Sequence, residues 1–252
     1  MTETYEPLPP ARDRKKRLWL PLGIAVAIAI AALVAVYLLF FTGDSPERLT
    51  LSTPSTAAGG AQTQTTAAGV GNDLAGTWTV GNDSTVGYRV REKLARLPAQ
   101  SDAVGRTNAV TGSIQVNPQG NQFVVPAGAN FEADVSTLKS EEQNRDNRIR
   151  TMGLESNKFP TATFVSSAPI TLPATAVNGQ TNTEVVGDLT IHGVTKRVTI
   201  PLQVQLNNGR IETVGSLTFP FSDFGMTPPS IAGVVTVGDT VTLEFQLLFG
   251  KG

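Results

Sequence analysis

The stretch Val198 to Phe221, VTIPLQVQLNNGRIETVGSLTFPF, decides the fold. Its first half sets Val198, Ile200, Leu202, Val204 and Leu206 against Thr199, Pro201, Gln203 and Gln205, a period of two that makes one dry face and one wet face. Asn207-Asn208-Gly209 follows, and Asn and Gly tolerate the positive φ of a tight hairpin turn. Beyond it Leu217, Phe219 and Phe221 again share a face. The expectation is a pair of half-buried antiparallel strands.

The same period recurs on both sides of this hairpin. Val241, Leu243, Phe245, Leu247 and Phe249 alternate through the last segment, and further strands are expected over Thr77–Val80, Thr85–Arg91, Ala109–Val116, Gln122–Val135, Thr161–Ser167 and Glu184–Ile191. Roughly eight antiparallel strands in one domain is a barrel or sandwich count. One segment breaks the period: Glu141 to Met152 is charged at many positions and follows Ser136, Thr137 and Ser140, which can cap a helix, so a short rim helix is expected there. The β domain is expected to span residues 74–252.

The N-terminal third has a different character. Leu18 to Phe41 is apolar except for Pro21 and Gly23, and as a helix would run about 36 Å, enough to cross a hydrocarbon core of about 30 Å. A cleaved signal peptide has a shorter apolar stretch and a small-residue cleavage site, whereas this run ends Leu-Leu-Phe-Phe-Thr-Gly-Asp. An uncleaved transmembrane helix over 18–41 is therefore the expectation. The basic run Arg12-Asp13-Arg14-Lys15-Lys16-Arg17 precedes it, which places the tail 1–17 in the cytoplasm and all that follows Phe41 outside the cell membrane. Between Leu49 and Asn72 stands no charged and no aromatic residue, so 42–73 reads as a flexible tether.

Composition excludes several chemistries. The chain has no cysteine, which removes disulfides, iron–sulfur clusters and thiol nucleophiles, and its single histidine, His192, cannot build a multi-histidine metal site. A net charge of −1 argues against nucleic acid. No G-x-S-x-G elbow and no phosphate-binding glycine loop occurs, and Glu141 with Glu142 diverge too far on a helix to flank one bond. His192 is expected as a turn residue at a strand end, with a catalytic base or a polar contact at a pocket mouth as the alternatives. The expectation is no enzyme, no metal and no resident cofactor. What remains is a markedly aromatic β face: Trp78, Tyr88, Phe123, Phe131, Phe164, Phe219, Phe221, Phe224, Phe245 and Phe249. An eight-stranded barrel is of the size whose interior is either filled or holds one small ligand, and periodicity does not choose between them.

Four stretches in order carry a resemblance. Asp134-Val135-Ser136-Thr137 with Asn144-Arg145-Asp146-Asn147-Arg148-Ile149, then Lys158-Phe159-Pro160-Thr161-Ala162-Thr163-Phe164-Val165-Ser166-Ser167, then Gly187-Asp188-Leu189-Thr190-Ile191-His192-Gly193-Val194-Thr195-Lys196, and finally Ser222-Asp223-Phe224-Gly225-Met226 with Val237-Gly238-Asp239-Thr240-Val241 resemble the YceI-like polyisoprenoid-binding family. The resemblance implies an extended, lipocalin-like antiparallel barrel whose interior holds an isoprenoid lipid, either a polyprenyl lipid or an isoprenoid quinone. It implies cavity-lining roles for Tyr88, Val90, Phe131, Phe164, Leu189, Phe219, Phe221, Phe224, Met226 and Phe245. Arg145 and Asp146 would form a charge pair that fixes the helix over the barrel, or else touch a ligand head group. Many relatives carry histidines where Arg91 and Arg148 are placed here, so two cations would favour an anionic head. The competing expectation is a filled barrel that docks on another envelope protein, whose identity the sequence does not give.

Overall fold

The computed structural model describes residues 28, 30, 31, 45–53, 74–94, 100–229 and 235–252 of the chain. Residues 45–252 form one compact unit and 1–44 another. In the first unit Ile28, Ile30 and Ala31 are helical and exposed. The rest of the expected membrane span lies outside the described residues, and among the described residues no helix is long and apolar enough to cross a membrane.

The second unit is an all-β domain with one short helix. Its strands are β1 (Gly76–Val80), β2 (Thr85–Leu94), β3 (Gln100–Thr107), β4 (Val110–Gln119), β5 (Gln122–Val125), β6 (Asn130–Asp134), β7 (Thr161–Ser166), β8 (Ile170–Pro173), β9 (Thr181–Ile191), β10 (Val194–Asn207), β11 (Arg210–Pro220) and β12 (Val235–Lys251), with α1 (Gln143–Thr151) between β6 and β7. Eight of them close a ring in the order β1-β12-β11-β10-β9-β7-β6-β4, and β4 returns to β1. All the pairings are antiparallel, so the sheet has no free edge around the ring. The long β12 serves two neighbours: its last residues pair with β1, while Val235–Gln246 pair with β2. The β2–β3 hairpin thereby extends the wall at one end, and a bridge from Arg106 to Lys139 ties it to the segment after β6.

The expected hairpin at Asn207-Asn208-Gly209 is present, with Asn208 and Gly209 at φ 51° and 73°. The single strand expected over Gln122–Val135 is instead two, because Pro126 lacks an N–H and Gly128 turns the chain at φ 96°. Strand β3 escaped the pattern because its inward positions are Ser101, Ala103, Gly105 and Thr107, which carry no large apolar side chain.

The tether expected over 42–73 needs a correction at its start. Residues 45–53 lie on the outer face of the barrel, held by their backbone. Arg89 donates to Pro46 O at 2.7 Å, Arg106 donates to Glu47 O, and Gln246 donates to Thr50 O at 3.1 Å. Gln205 donates to Ser52 O at 2.8 Å, while Ser52 N–H and hydroxyl both donate to Glu212 Oε1 at 2.9 Å. Glu212 and Glu244 are 1% and 2% exposed on an outward face, so this strap is what covers them. The polar composition of the segment correctly excludes a core role. It is blind to a segment recognised through its main chain by buried side chains elsewhere.

Candidate functional site

Two apolar clusters occupy the two ends of the barrel. Trp78, Val116, Phe123, Val125, Ile200, Val204, Ile211, Leu247 and Phe249 are buried in one. Val90, Leu189, Ile191, Phe219, Phe221, Phe224, Met226, Val237 and Val241 are buried in the other, beneath the end that carries the β9–β10 turn and the 3-10 turn Phe221–Phe224. Between them the packing changes. Along β12, inward Val241 and Leu247 are buried, yet inward Leu243 and Phe245 between them are only half-buried. Their neighbours at the same level repeat this: Val86 and Tyr88 on β2, Leu217 on β11, Val198 on β10, Phe164 on β7 and Phe131 on β6 are inward and half-buried. These inward, half-buried side chains form a belt packed against the two buried clusters.

Four of the rings in this belt lie against glycines of the wall. Tyr88 faces Gly105, Phe131 faces Gly112 and Phe245 faces Gly215 across the sheet, and Phe164 leans on Gly187. A Cβ on these four glycines would fall 2.3 to 2.4 Å from ring atoms. Each ring therefore occupies the space that a neighbouring side chain would fill. The aromatic mass lies along the wall instead of projecting across the interior.

Of the ten residues expected to line the cavity, Tyr88, Phe131, Phe164 and Phe245 stand in the half-buried belt. Val90, Leu189, Phe219, Phe221, Phe224 and Met226 are buried in the packed end cluster and form its base. Val86, Val198, Leu217 and Leu243 share this belt and lie outside the ten expected residues, although Val198, Leu217 and Leu243 stand on the dry faces of the alternating stretches.

The polar residues differ more from expectation. Arg91 points away from the lumen, because β2 sends Val86, Tyr88, Val90 and Glu92 inward; its guanidinium is 60% exposed and pairs with Asp102 at 3.0 Å. A head-group role for Arg91 is excluded by that register. Arg145 and Asp146 do not pair, since successive helical side chains diverge by about 100°. Arg145 instead meets Glu92 at 3.1 Å and Glu141 at 2.6 Å, so helix α1 is fixed to the barrel through an inward residue of β2. Burial opposes the charge of Arg145, but the two carboxylates outweigh it and hold its pKa above the ordinary value. Asp146 accepts from the Ser140 N–H at 2.9 Å and hydroxyl at 2.7 Å, closing the loop before the helix. Arg148 is half-buried and makes no ion pair among the described residues.

Tyr88 joins the two environments. Its hydroxyl is buried and has no hydrogen-bond partner among the described residues, and burial pushes its pKa well above the usual phenol value. A buried donor left unpaired costs about 1–3 kcal/mol.

His192 sits in the β9–β10 turn at φ 54°. Its Nε2 lies 2.6 Å from Glu155 Oε2, its Nδ1 lies 3.2 Å from Phe224 O, and the Phe159 ring packs against it, tilted by 60° at 4.4 Å between ring centroids. Both ring nitrogens face oxygen acceptors, so the residue closes the turn against the loop that follows α1. Among the described residues no group of three or more His, Asp or Glu could hold a metal.

A closed eight-stranded antiparallel barrel with an apolar interior and one short helix defines a lipocalin-like architecture. The YceI-like domain model matches residues 78–249, and the chain belongs to that family. Among curated relatives, the UPF0312 protein VVA0736 of Vibrio vulnificus is 35% identical over 97 residues, which is 38% of this chain and 47% of the relative. A Vibrio parahaemolyticus relative, the UPF0312 protein VPA0850, is 31% identical over the same length. The chain thus spans about half the length of the curated relatives it matches. Among solved structures, a polyisoprenoid binding domain from Saccharophagus degradans, implicated in plant cell wall breakdown, aligns with a TM-score of 0.51 at 17% identity, covering 71% of this chain and 99% of that one. Burkholderia cenocepacia BcnA aligns at 24% identity with a TM-score of 0.49, covering 67% and 98%. At these identities the structural likeness concerns the fold.

Proposed function

We propose that this protein is a membrane-anchored, extracytoplasmic binding protein that takes an isoprenoid lipid, a polyprenyl lipid or an isoprenoid quinone, into the lumen of its barrel. The observation that carries the reading is the belt of inward, half-buried apolar side chains, in which four rings lie against glycines of the wall. Such a space suits a long hydrocarbon tail, because each buried CH₂ contributes about 0.8 kcal/mol without needing polar contacts. Membership of the YceI-like family and the polyisoprenoid-binding description of the Saccharophagus degradans domain support the same ligand class. The belt weighs against the filled-barrel alternative. The lipid is cargo in this reading, and the protein binds it without chemistry.

The anchor follows from the apolar run 18–41 and its basic flank. Isoprenoid tails reside in the bilayer, so a tethered barrel works at high effective concentration of its ligand. Titrating the detergent-solubilised full chain with a fluorescent polyprenyl probe tests the binding claim: saturable uptake at one site, displaced by unlabelled polyprenol, is expected. Absence of saturable uptake would overturn it.

A further inference from the structure

The wall of the barrel has one weak joint. Each joint around the eight-stranded ring is a ladder of three or more registered pairs. Strand β3 stands outside that ring, at the end of the sheet, with β2 on one side only. It runs into β4 through Asn108 and Ala109, and β4 is laddered to β6, so the free edge of β3 faces the chain that follows β6. Among the described residues a single backbone bridge, Arg106 to Lys139, joins the two, with a Thr107–Thr137 hydroxyl contact of 2.6 Å beside it. Beyond Lys139 the chain leaves the sheet and becomes α1.

Helix α1 covers the rest of this edge without packing into it. None of its residues is buried. Its Arg145 pairs with Glu92 at 3.1 Å, and Glu92 lies on the inward face of β2 opposite Ser101 of β3, so the guanidinium reaches in past β3. The inward positions beneath are the small Ser101, Ala103 and Gly105. After the helix the chain is fixed again where Glu155 meets His192. The segment between Lys139 and Glu155 is thus an arch held at both feet, and the pair Arg145–Glu92 ties its middle to the wall.

The two ends of the barrel offer a tail no comparable way in. One is packed with the buried rings of Phe219, Phe221 and Phe224, the other with those of Trp78, Phe123 and Phe249. Entry there must move large buried side chains, whereas lifting α1 exposes no buried side chain of the helix and breaks one ion pair to the wall. We infer that the lipid tail enters sideways, between the free edge of β3 and α1, and that the Arg145–Glu92 pair is the latch of this port. The inference rests on the lipid-binding reading above and adds the route to it.

A gate that opens before binding scales uptake and release by the same factor and leaves the equilibrium alone. Stopped-flow uptake of a fluorescent polyprenyl probe by the detergent-solubilised full chain, and its release to excess unlabelled polyprenol, give both rates. Glu92→Gln is expected to speed each about 5- to 10-fold, the worth of a charge-assisted hydrogen bond, with Kd unchanged. Glu141→Gln removes the other partner of Arg145, within the helix itself, and is expected to leave both rates at the parent value. The chain has no cysteine, so the double variant Arg145→Cys with Glu92→Cys can be joined specifically by a short bismaleimide. Unlinked, it is expected to behave as Glu92→Gln; linked, both rates are expected to fall at least about 10-fold below the unlinked variant. Equal rates in the linked and unlinked forms, equal effects of Glu92→Gln and Glu141→Gln, or a changed Kd with unchanged rates would each overturn the port while leaving lipid binding intact. Failure of the parent chain to take up the probe would instead remove the lipid-binding reading itself.

Discussion

Gly215→Ala separates a hollow barrel from a filled one. The new Cβ would stand 2.4 Å from Cζ of Phe245 and 2.9 Å from Cδ2 of Leu202. Carbon atoms rest about 3.5–4.0 Å apart, so the Phe245 ring must withdraw from the wall by about 1.1–1.6 Å. All three nearest atoms belong to side chains, and Gly215 has no positive φ, so the backbone need not move. If the interior is open the ring swings into the lumen, and the domain loses about 1 kcal/mol or less. The displaced ring then occupies space for one or two methylenes of the ligand. At about 0.8 kcal/mol each this is a loss of about 0.8–1.6 kcal/mol, or about 4- to 15-fold in affinity. Urea unfolding gives the stability and titration with a polyprenyl probe gives the affinity. Gly215→Ala with Phe245→Leu should recover most of the binding by returning the space. A filled interior predicts the opposite pattern, with overpacking that costs about 1–3 kcal/mol and is relieved only by rearrangement. Destabilisation at the top of that range with unchanged lipid affinity would refute the hollow-belt reasoning.

Other consequences concern the outer face and the turn at the mouth. Burial works against ionised Glu212, but donors from Gln205, Gln246 and Ser52 prevail and lower its pKa. A depressed folded-state pKa contributes stability above the unfolded carboxylate pKa of about 4.3 and loses it as pH falls through the folded value. The hydrogen-exchange protection factors of residues 45–53, taken against the intrinsic rate at each pH, should therefore fall at acid pH before those of the barrel; a synchronous fall in strap and barrel would contradict this. Glu244 lies between Arg89 at 3.4 Å and Arg106 at 2.9 Å, and Arg89 is itself buried. Glu244→Ala should cost about 1–3 kcal/mol in chemical denaturation, because the buried Arg89 loses one carboxylate but keeps Asp102 at 3.3 Å and Pro46 O at 2.7 Å. Glu155→Gln weakens the contact to His192, and the loop 152–159 should exchange faster than in the parent while β9 and β10 remain protected.

How much of this was legible in the sequence depends on what each residue does. Alternation in Val198–Leu206 and Val241–Phe249 marks the inward face correctly, because a closed barrel lets the period of two decide burial on every strand. It says nothing about how full the interior is. That is set by pairs such as Phe245 with Gly215, which are thirty residues apart in the chain and meet only through the register of β11 and β12. Strand β3 was invisible because small residues give no hydrophobic period. Arg91 and Glu92 show the cost of a one-residue offset: the two are adjacent, but the pleat turns one to solvent and the other to Arg145. The strap over 45–53 was illegible for a different reason. The side chains that hold it, Arg89, Gln205, Glu212 and Gln246, are spread over four strands, and they read its backbone rather than its composition.

The central claim is that the lumen encloses one isoprenoid lipid. Native mass spectrometry of the full chain, released from detergent after incubation with an equimolar mixture of a polyprenol and a straight-chain phospholipid, tests it most directly. The account predicts a single adduct per chain with the mass of the polyprenol, sharply reduced in Gly215→Ala. A chain that emerges bare, or that carries both lipids in proportion to their supply, would contradict it.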